Sequence, residues 1–163
     1  MAGFEARIES LESMMVASVH AFGESPEGEA WKKMEAWAGP IGLLDNIEKH
    51  PVFGFNNPNP SPDSKEYGYE FWLAVESEIE PGRGIEWKDY EGGRYAVTVC
   101  NVFDEMNSEF FRREGYLESW KKLRDWVVEN QLRPGSHQAL ERPHDPRVPE
   151  EELVLDLYYP IEE

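Results

Sequence analysis

Apolar and polar residues alternate with the two-residue period of β-strands along much of the chain. Runs rich in β-branched and aromatic residues, bounded by turn-forming residues, predict strands at residues 14–22, 52–55, 67–76, 85–90, 94–101, 137–141 and 153–161. The segment 56–63 contains three prolines, which cannot donate to a strand ladder, so it is predicted to be a loop. We expect Glu91-Gly92-Gly93 to form the turn of a hairpin.

Two further segments have the apolar spacing of α-helices. In the first, Ser25 and Pro26 occupy preferred cap and first-turn positions, and Gly39-Pro40 ends the helix. Each helix carries an apolar stripe that we expect to pack against a sheet. The stripes are Trp31, Met34 and Ala38 in the first helix and Tyr116, Trp120, Leu123 and Val127 in the second. Because strands outnumber helices, the predicted class is α+β, with two helices on one face of an antiparallel sheet.

The two helical segments are copies of each other. Residues 29–37 and 118–126 are identical at five of nine positions. The flanking strands align in the same order: residues 16–19 with 96–99 at an offset of 80, and residues 69–72 with 155–158 at an offset of 86. Each copy therefore reads strand, helix, strand, strand, which is typical of a pseudo-symmetric pair and not of a solenoid.

We therefore predict a single domain of two pseudo-symmetric modules, at about residues 6–80 and 84–161. The offset between the copies rises between the first strand and the helix, so the second copy holds extra residues within Asn101–Gly115. This stretch mixes phenylalanines with acidic residues. It is either a short helix covering an opening or a surface insertion with its own small apolar cluster.

The charge balance narrows the possible partners. The 163 residues include 16 Lys and Arg against 33 Asp and Glu, a net charge of −17, which argues against nucleic acid and favours attraction of cations. No apolar run is long enough to cross a membrane, and no secretory signal begins the chain. The single cysteine, Cys100, excludes an intrachain disulfide and indicates the cytoplasm.

The common catalytic and cofactor motifs are missing from the sequence. It contains no G-x-S-x-G, no P-loop and no G-x-G-x-x-G, and its four histidines lack the spacing of zinc ligands. Cys100 lies within an apolar strand, where an inert buried thiol is expected. We therefore expect no metal and no cofactor.

Carboxylates interleaved with aromatic residues carry the remaining signal. Alternation along residues 67–75 places Glu70 and Trp72 on one face of a strand and Tyr69 and Phe71 on the other. Carboxylates among aromatic rings suit a bulky, flat cation, because the rings add cation–π attraction to the charge of the acid. Glu141, at the end of its predicted strand, is a second carboxylate that could bind such a cation.

Two interpretations of Glu70 are open. As a structural residue it needs a permanent partner such as Arg94 or Lys32. As a ligand residue it faces a cavity, and a ligand cation or a raised pKa neutralises it. We favour the second, which predicts that Glu70→Gln leaves stability unchanged and weakens the binding of cations.

The sequence resembles the GyrI-like small-molecule-binding domain, which is also the effector-binding domain of AraC- and MerR-type regulators. The resemblance covers about residues 6–161 and rests on the segments 53–58, 67–72, 92–97, 140–141 and 159–161. It implies two modules around a pseudo-twofold axis with a cleft between the two helices. Pro143 departs from the family pattern, in which many members have Tyr two residues after the glutamate that corresponds to Glu141.

The resemblance implies binding of bulky, hydrophobic, cationic aromatic small molecules. We expect a stand-alone cytoplasmic protein, and its oligomeric state stays open between a monomer and a weak dimer. Regulators of this family carry a DNA-binding segment for which we expect no room here. Glu70 and Glu141 match acidic positions of the family, and Trp72 and Tyr95 match aromatic ones. The candidate ligand-binding residues are Glu70, Trp72, Tyr69, Glu141, Tyr95, Phe55, Trp31 and Trp120.

Two other functions remain open at this point. The first is a hydrolase of strained electrophiles such as cyclopropane-bearing toxins, with Glu70, Tyr69 or Glu141 as candidate catalytic residues. In that mechanism a carboxylate activates water or stabilises positive charge, and a tyrosine donates a proton. The second is an acidic interaction module that inhibits a topoisomerase.

Overall fold

The computed structural model describes residues 4–59, 61–76, 84–101, 112–148 and 152–163. Its strands are β1 (Arg7–Leu11), β2 (Met14–Gly23), β3 (Val52–Asn56), β4 (Tyr67–Val75), β5 (Glu86–Tyr90), β6 (Gly93–Asn101), β7 (Leu140–Pro143) and β8 (Val154–Ile161). Its helices are α1 (Pro26–Ala38) and α2 (Arg112–Glu129), and a 3-10 turn spans Leu43–Asp45. The predicted α+β class is confirmed. Within the described ranges, neither helix has the length and hydropathy needed to cross a membrane.

The chain forms two compact units. The N-terminal unit is Ser13–Glu91, and the C-terminal unit combines Met1–Glu12 with Gly92–Glu163. The antiparallel sheet of the N-terminal unit has the order β3-β4-β2-β5, and that of the C-terminal unit has the order β1-β6-β8-β7. The sequences β2-α1-β3-β4 and β6-α2-β7-β8 confirm the predicted strand-helix-strand-strand repeat.

Each sheet contains one strand besides the three of its repeat: β5 in the N-terminal unit and β1 in the C-terminal unit. The pairing of these two strands differs from the sequence prediction. β5 pairs with β2, whereas β6 pairs with β1 and β8, so Glu91-Gly92-Gly93 is not a hairpin turn. Trp87 of β5 instead packs edge-on against Trp37 of α1, with ring centroids 5.6 Å apart. β1, which falls within the range expected for the first module, belongs to the C-terminal unit. Turn-forming residues mark where a chain reverses but do not specify which strand pairs with which.

The predicted strand at residues 137–141 is also displaced, since β7 begins only at Leu140. His137 hydrogen-bonds through Nε2 to the carbonyl oxygen of Arg94 at 2.8 Å. Its ring fills space beside Gly93 and Gly135 that a Cβ on either residue would occupy. A side-chain contact therefore replaces ladder pairing at this point. Of the expected insertion at residues 101–115, residues 102–111 lie outside the described residues, and α2 begins at Arg112.

Each helix packs apolar side chains on the sheet of its own unit. The side chain of Tyr116, predicted in the second stripe, lies outside the described part of the structure. The buried residues of α1 are Pro26, Ala30, Met34 and Ala38. Trp31, expected in the stripe, lies half-buried at its side. Met34 and its repeat counterpart Leu123 are fully buried, in clusters that include Leu73 and Leu157 respectively. Burial of such side chains stabilises each unit by about 1.5–3 kcal/mol per residue.

The strand register corrects the predicted repeat alignment by one residue. Ser18 pairs with Trp72, and in the second copy it is Val97, not Thr98, that pairs with Tyr158. The first strands are therefore equivalent at an offset of 79. A shift of one residue moves a side chain to the other face of a sheet. Residues 96–99 are apolar or β-branched on both faces, so no polar marker in the sequence fixes the register.

Met34→Ala and Leu123→Ala are each expected to lower the free energy of unfolding by about 2–5 kcal/mol, because each leaves a cavity in a solvent-free cluster. Urea denaturation measures the change. Lys32→Ala and Lys122→Ala, at exposed positions of the same helices, are the matched controls and should cost less than about 0.5 kcal/mol. Equal losses in controls and core variants would contradict the packing.

Candidate functional site

The two faces of each sheet differ in chemistry. In the N-terminal unit, Ala17, Val19 and Leu73 cluster with α1 on what we call the helix-bearing face. Alternation places their neighbours Ser18 and Glu70 on the opposite, helix-free face. The predicted alternation around Glu70 is confirmed, and the structure decides which side it occupies.

Glu70 lies among four hydrogen-bond donors and is 2% exposed. Its Oε2 accepts bonds from Ser18 Oγ at 2.7 Å, Trp72 Nε1 at 2.6 Å and Lys88 Nζ at 2.8 Å. Its Oε1 accepts one bond from Asn57 Nδ2 at 3.2 Å. A buried carboxylate is stable when its charge is paired and hydrogen-bonded in this way.

Strand pairing explains why these groups meet. Ser18 and Trp72 are direct cross-strand partners on β2 and β4. Lys88 lies on β5, opposite Val16 of β2. Asn57 follows β3 directly. Lys88 was not among the predicted partners of Glu70, because the strand pattern does not show that β5 pairs with β2.

The partner of Glu70 is neither of the two that the sequence suggested. Arg94 lies on β6 and donates to the carbonyl oxygen of Glu162 at 3.2 Å, and Lys32 is exposed on α1. Burial by itself would raise the pKa of the Glu70 carboxyl, but the hydrogen bonds from Lys88, Ser18, Trp72 and Asn57 outweigh it and hold the pKa below its ordinary value. Of the two ways in which we expected Glu70 to be neutralised, by a ligand cation or by a raised pKa, the raised pKa is therefore wrong.

Three aromatic rings continue the helix-free face beside Glu70. The rings of Phe55 and Trp72 meet edge-on with centroids 4.7 Å apart, and Trp72 and Tyr90 lie 5.4 Å apart. Phe55 and Tyr90 are buried and Trp72 is half-buried. Because its indole N–H is bonded to Glu70, Trp72 is held by both the carboxylate and the ring contacts.

The helix-bearing face of the N-terminal unit presents a different aromatic group. Trp31 of α1 meets Phe71 edge-on at 5.4 Å, and Phe71 meets Tyr69 at 4.9 Å. Trp31 and Phe71 are half-buried, so part of each ring remains open to solvent. We call these three residues the aromatic platform.

In the C-terminal unit, Glu141 is 8% exposed and pairs with Leu157 across β7 and β8. Directly opposed residues share a face, and Leu157 clusters with Leu123 of α2, so Glu141 lies on the helix-bearing face. Trp120 of α2 packs half-buried against the same cluster. A buried acid and a partly open indole thus belong to this apolar face.

The helix-free face of the C-terminal unit resembles the surroundings of Glu70. Asp156, the repeat counterpart of Glu70, accepts bonds from Arg7 at 3.0 Å and from His144 Nε2 at 2.8 Å. Tyr95 is fully buried there, and its hydroxyl donates to the carbonyl oxygen of Gln138 at 2.7 Å. Both repeat acids are therefore paired on the helix-free side of their own unit.

The candidate ligand residues divide equally between the two kinds of face. Trp31, Tyr69, Trp120 and Glu141 belong to helix-bearing faces, and Glu70, Trp72, Phe55 and Tyr95 belong to helix-free faces. Phe71 is not among the predicted ligand residues, although its contacts with Tyr69 and Trp31 make it part of the aromatic platform. Among the described ranges, no group of three or more His, Cys, Asp or Glu side chains could hold a metal ion.

Comparison with protein families identifies the chain. The model of the GyrI-like small molecule binding domain matches residues 4–162, so the chain belongs to this family. No curated protein matches it.

Several solved structures share the fold. A hydrolase from Listeria innocua has a TM-score of 0.66 at 12% identity, over 97% of this chain and 92% of that one. The EcmrR C-terminal domain has a TM-score of 0.62 at 16% identity, over 98% of both chains. SAV2435, solved bound to tetraphenylphosphonium, has a TM-score of 0.50 at 10% identity, over 97% of this chain and 94% of that one. At these identities the similarity establishes the fold alone.

Glu70→Gln is expected to lower the free energy of unfolding by about 1–3 kcal/mol at pH 7, because it leaves the Lys88 ammonium without its carboxylate. A carboxyl with a lowered folded pKa stabilises the protein above its ordinary pKa of 4.5 and loses that contribution as the pH falls through the folded value. The difference from the unsubstituted protein should therefore shrink below pH 4.5.

Urea titrations across this pH range measure the effect. Glu66→Gln, at an exposed position just before β4, is the matched control and should show no such pH dependence. Unchanged stability of Glu70→Gln at pH 7 would contradict the structural role given to Glu70.

Proposed function

We propose that this member of the GyrI-like family binds bulky, hydrophobic, cationic aromatic small molecules. The match to the small-molecule-binding family over residues 4–162 carries the proposal. The fold neighbour SAV2435, solved with the aromatic cation tetraphenylphosphonium, supports this class of ligand. The single cysteine, buried Cys100, supports a reducing compartment such as the cytoplasm as the place of action.

The aromatic platform supports the recognition of a flat hydrophobic ligand. Trp31 and Phe71 each leave part of a ring open, and their edge-on contact holds both rings in place. Preordered rings lose little conformational entropy when a ligand packs on them, and their negative faces attract a cation. We assign the platform to the aromatic part of the ligand.

The charges of the chain support a preference for cations. The net charge of −17 raises the local concentration of cations around the protein at low salt. Glu141 adds a buried carboxylate to the face that carries the apolar cluster around Leu123 and Leu157, where a charge acts through a lower dielectric than in water. Within the C-terminal unit we assign Glu141, on the same face as the partly open indole of Trp120, to the binding of a ligand cation. We keep Glu70, whose charge Lys88 neutralises, as a structural residue.

A rhodamine-type dye is expected to bind with micromolar affinity, about −8 kcal/mol. Trp31→Ala should lower the affinity for the dye by about 3–30-fold, because it removes one open ring of the platform. Fluorescence titration measures both values.

Trp37→Ala is the matched control for Trp31→Ala. Trp37 is on the same helix and also half-buried, but it packs against Trp87 of β5 and not against Phe71. It should leave the dye affinity within about twofold. Absence of saturable binding would refute the function, and equal losses in the two variants would refute the platform.

Glu141→Gln is expected to lower the affinity for the cationic dye by about tenfold. The affinity for a neutral dye such as Nile red should fall much less, because only the cation interacts with the carboxylate charge. Glu129→Gln, at an exposed position of α2, is the control for the loss of one charge. Thermal melts of both variants check that each remains folded. An equal effect of Glu141→Gln on both dyes would contradict its assignment to the cation.

A further inference from the structure

A polar pocket of about 470 Å³ lies on the helix-free face of the N-terminal unit. Its wall contains no Phe, Tyr or Trp among the described residues, and the side chains that define its chemistry are Ser18, His20, Asn57, Glu70, Glu86 and Lys88. Strand register groups them, because β2 pairs Ser18 with Glu86 on one side and His20 with Glu70 on the other. Its size is within the range of small-ligand pockets, about 300–1,000 Å³.

The charged groups of the pocket leave an excess of negative charge. Two carboxylates, Glu70 and Glu86, face one ammonium, that of Lys88. Lys88 is already paired with Glu70 at 2.8 Å. Glu86 is exposed at the pocket and forms no hydrogen bond or ion pair with any described residue. As far as the described residues go, the Glu70 charge is therefore neutralised and the Glu86 charge remains for a ligand.

The pocket also keeps hydrogen-bond acceptors. Each oxygen of an ionised carboxylate accepts about two bonds. Among the described residues, Glu70 Oε1 accepts one bond, from Asn57 at 3.2 Å, and neither oxygen of Glu86 accepts one. A ligand that fits this wall must donate several hydrogen bonds and carry a positive charge.

We propose that this pocket is a binding site for small hydrophilic compounds that carry a guanidinium or primary ammonium group. The Glu86 carboxylate receives the cationic group, which for a guanidinium allows two parallel hydrogen bonds. Glu70 Oε1 accepts a further N–H, and the remaining N–H groups of Lys88 donate to a polar atom elsewhere on the ligand.

This site differs from the proposed site for lipophilic cations. It lies on the helix-free face, whereas Trp31, Phe71 and Tyr69 belong to the helix-bearing face of the same unit. Its wall is mainly polar, and among the described residues it contains no Phe, Tyr or Trp on which a large aromatic ligand could pack. The two proposals therefore stand or fall independently.

Isothermal titration calorimetry at about 150 mM salt with agmatine as the probe tests the site. Agmatine carries a guanidinium and an ammonium group, and its urea analogue N-carbamoylputrescine has the same shape with one charge fewer. We expect saturable binding of agmatine, about tenfold weaker binding of the analogue, and about a tenfold loss in Glu86→Gln.

Asp89→Asn is the matched control for Glu86→Gln. Asp89 is also exposed on β5, but it pairs with Met15 and so lies on the opposite face of the strand. At this salt concentration the charge of Asp89 is largely screened from a ligand on the other face of the sheet, so the affinity for agmatine should change by less than about twofold. Trp31→Ala should leave agmatine binding unchanged.

The proposal is overturned if agmatine shows no saturable binding up to about 10 mM. It is also overturned if Glu86→Gln and Asp89→Asn weaken agmatine equally, because this would indicate general attraction to an acidic protein. Amide shifts of Ser18, His20 and Lys88 on titration would support the assignment by location, and shifts confined to other residues would contradict it. Failure of dye binding at the aromatic platform bears on none of these outcomes.

Discussion

The buried Glu70 carboxylate is the interaction on which the N-terminal unit depends. Its four donors come from β2, from β4 itself, from β5 and from the residue after β3, so one charge joins all four strands of the sheet. A carboxylate at 2% exposure is tolerable only while these donors remain in place. The aromatic contacts of Trp72 with Phe55 and Tyr90 depend in turn on the indole N–H that Glu70 holds.

The C-terminal unit repeats this arrangement with different residues. Asp156 is the repeat counterpart of Glu70. In each unit a cation from the strand outside the repeat pairs with this acid: Lys88 of β5 with Glu70, and Arg7 of β1 with Asp156. Arg7 lies between the carboxylates of Glu9 and Asp156; burial lowers its pKa, but the two carboxylates raise it further, so the net pKa is above its ordinary value. In both units a strand outside the sequence repeat therefore supplies a cation that pairs with the repeat acid.

Because the two repeat acids are paired on the helix-free faces, the two kinds of face differ in the ligands that they suit. The helix-bearing faces are left with partly open aromatic rings and, in the C-terminal unit, with Glu141. Such faces suit hydrophobic ligands, which is consistent with membership of the GyrI-like small-molecule-binding family. On the helix-free face of the N-terminal unit, Lys88 is paired with Glu70, so among the described residues Glu86 has no cation and gives the polar pocket its negative charge.

The sequence by itself determined the α+β class, the repeated strand-helix-strand-strand order and the alternation around Glu70, because hydrophobic period and turn residues are local signals. Only the tertiary structure decided which strand completes each sheet, the one-residue register between the copies and the cation that meets Glu70. These depend on pairing between segments distant in sequence, such as Ser18 with Trp72 and Glu70 with Lys88. A strand pattern states which residues share a face, but what that face meets depends on the rest of the chain.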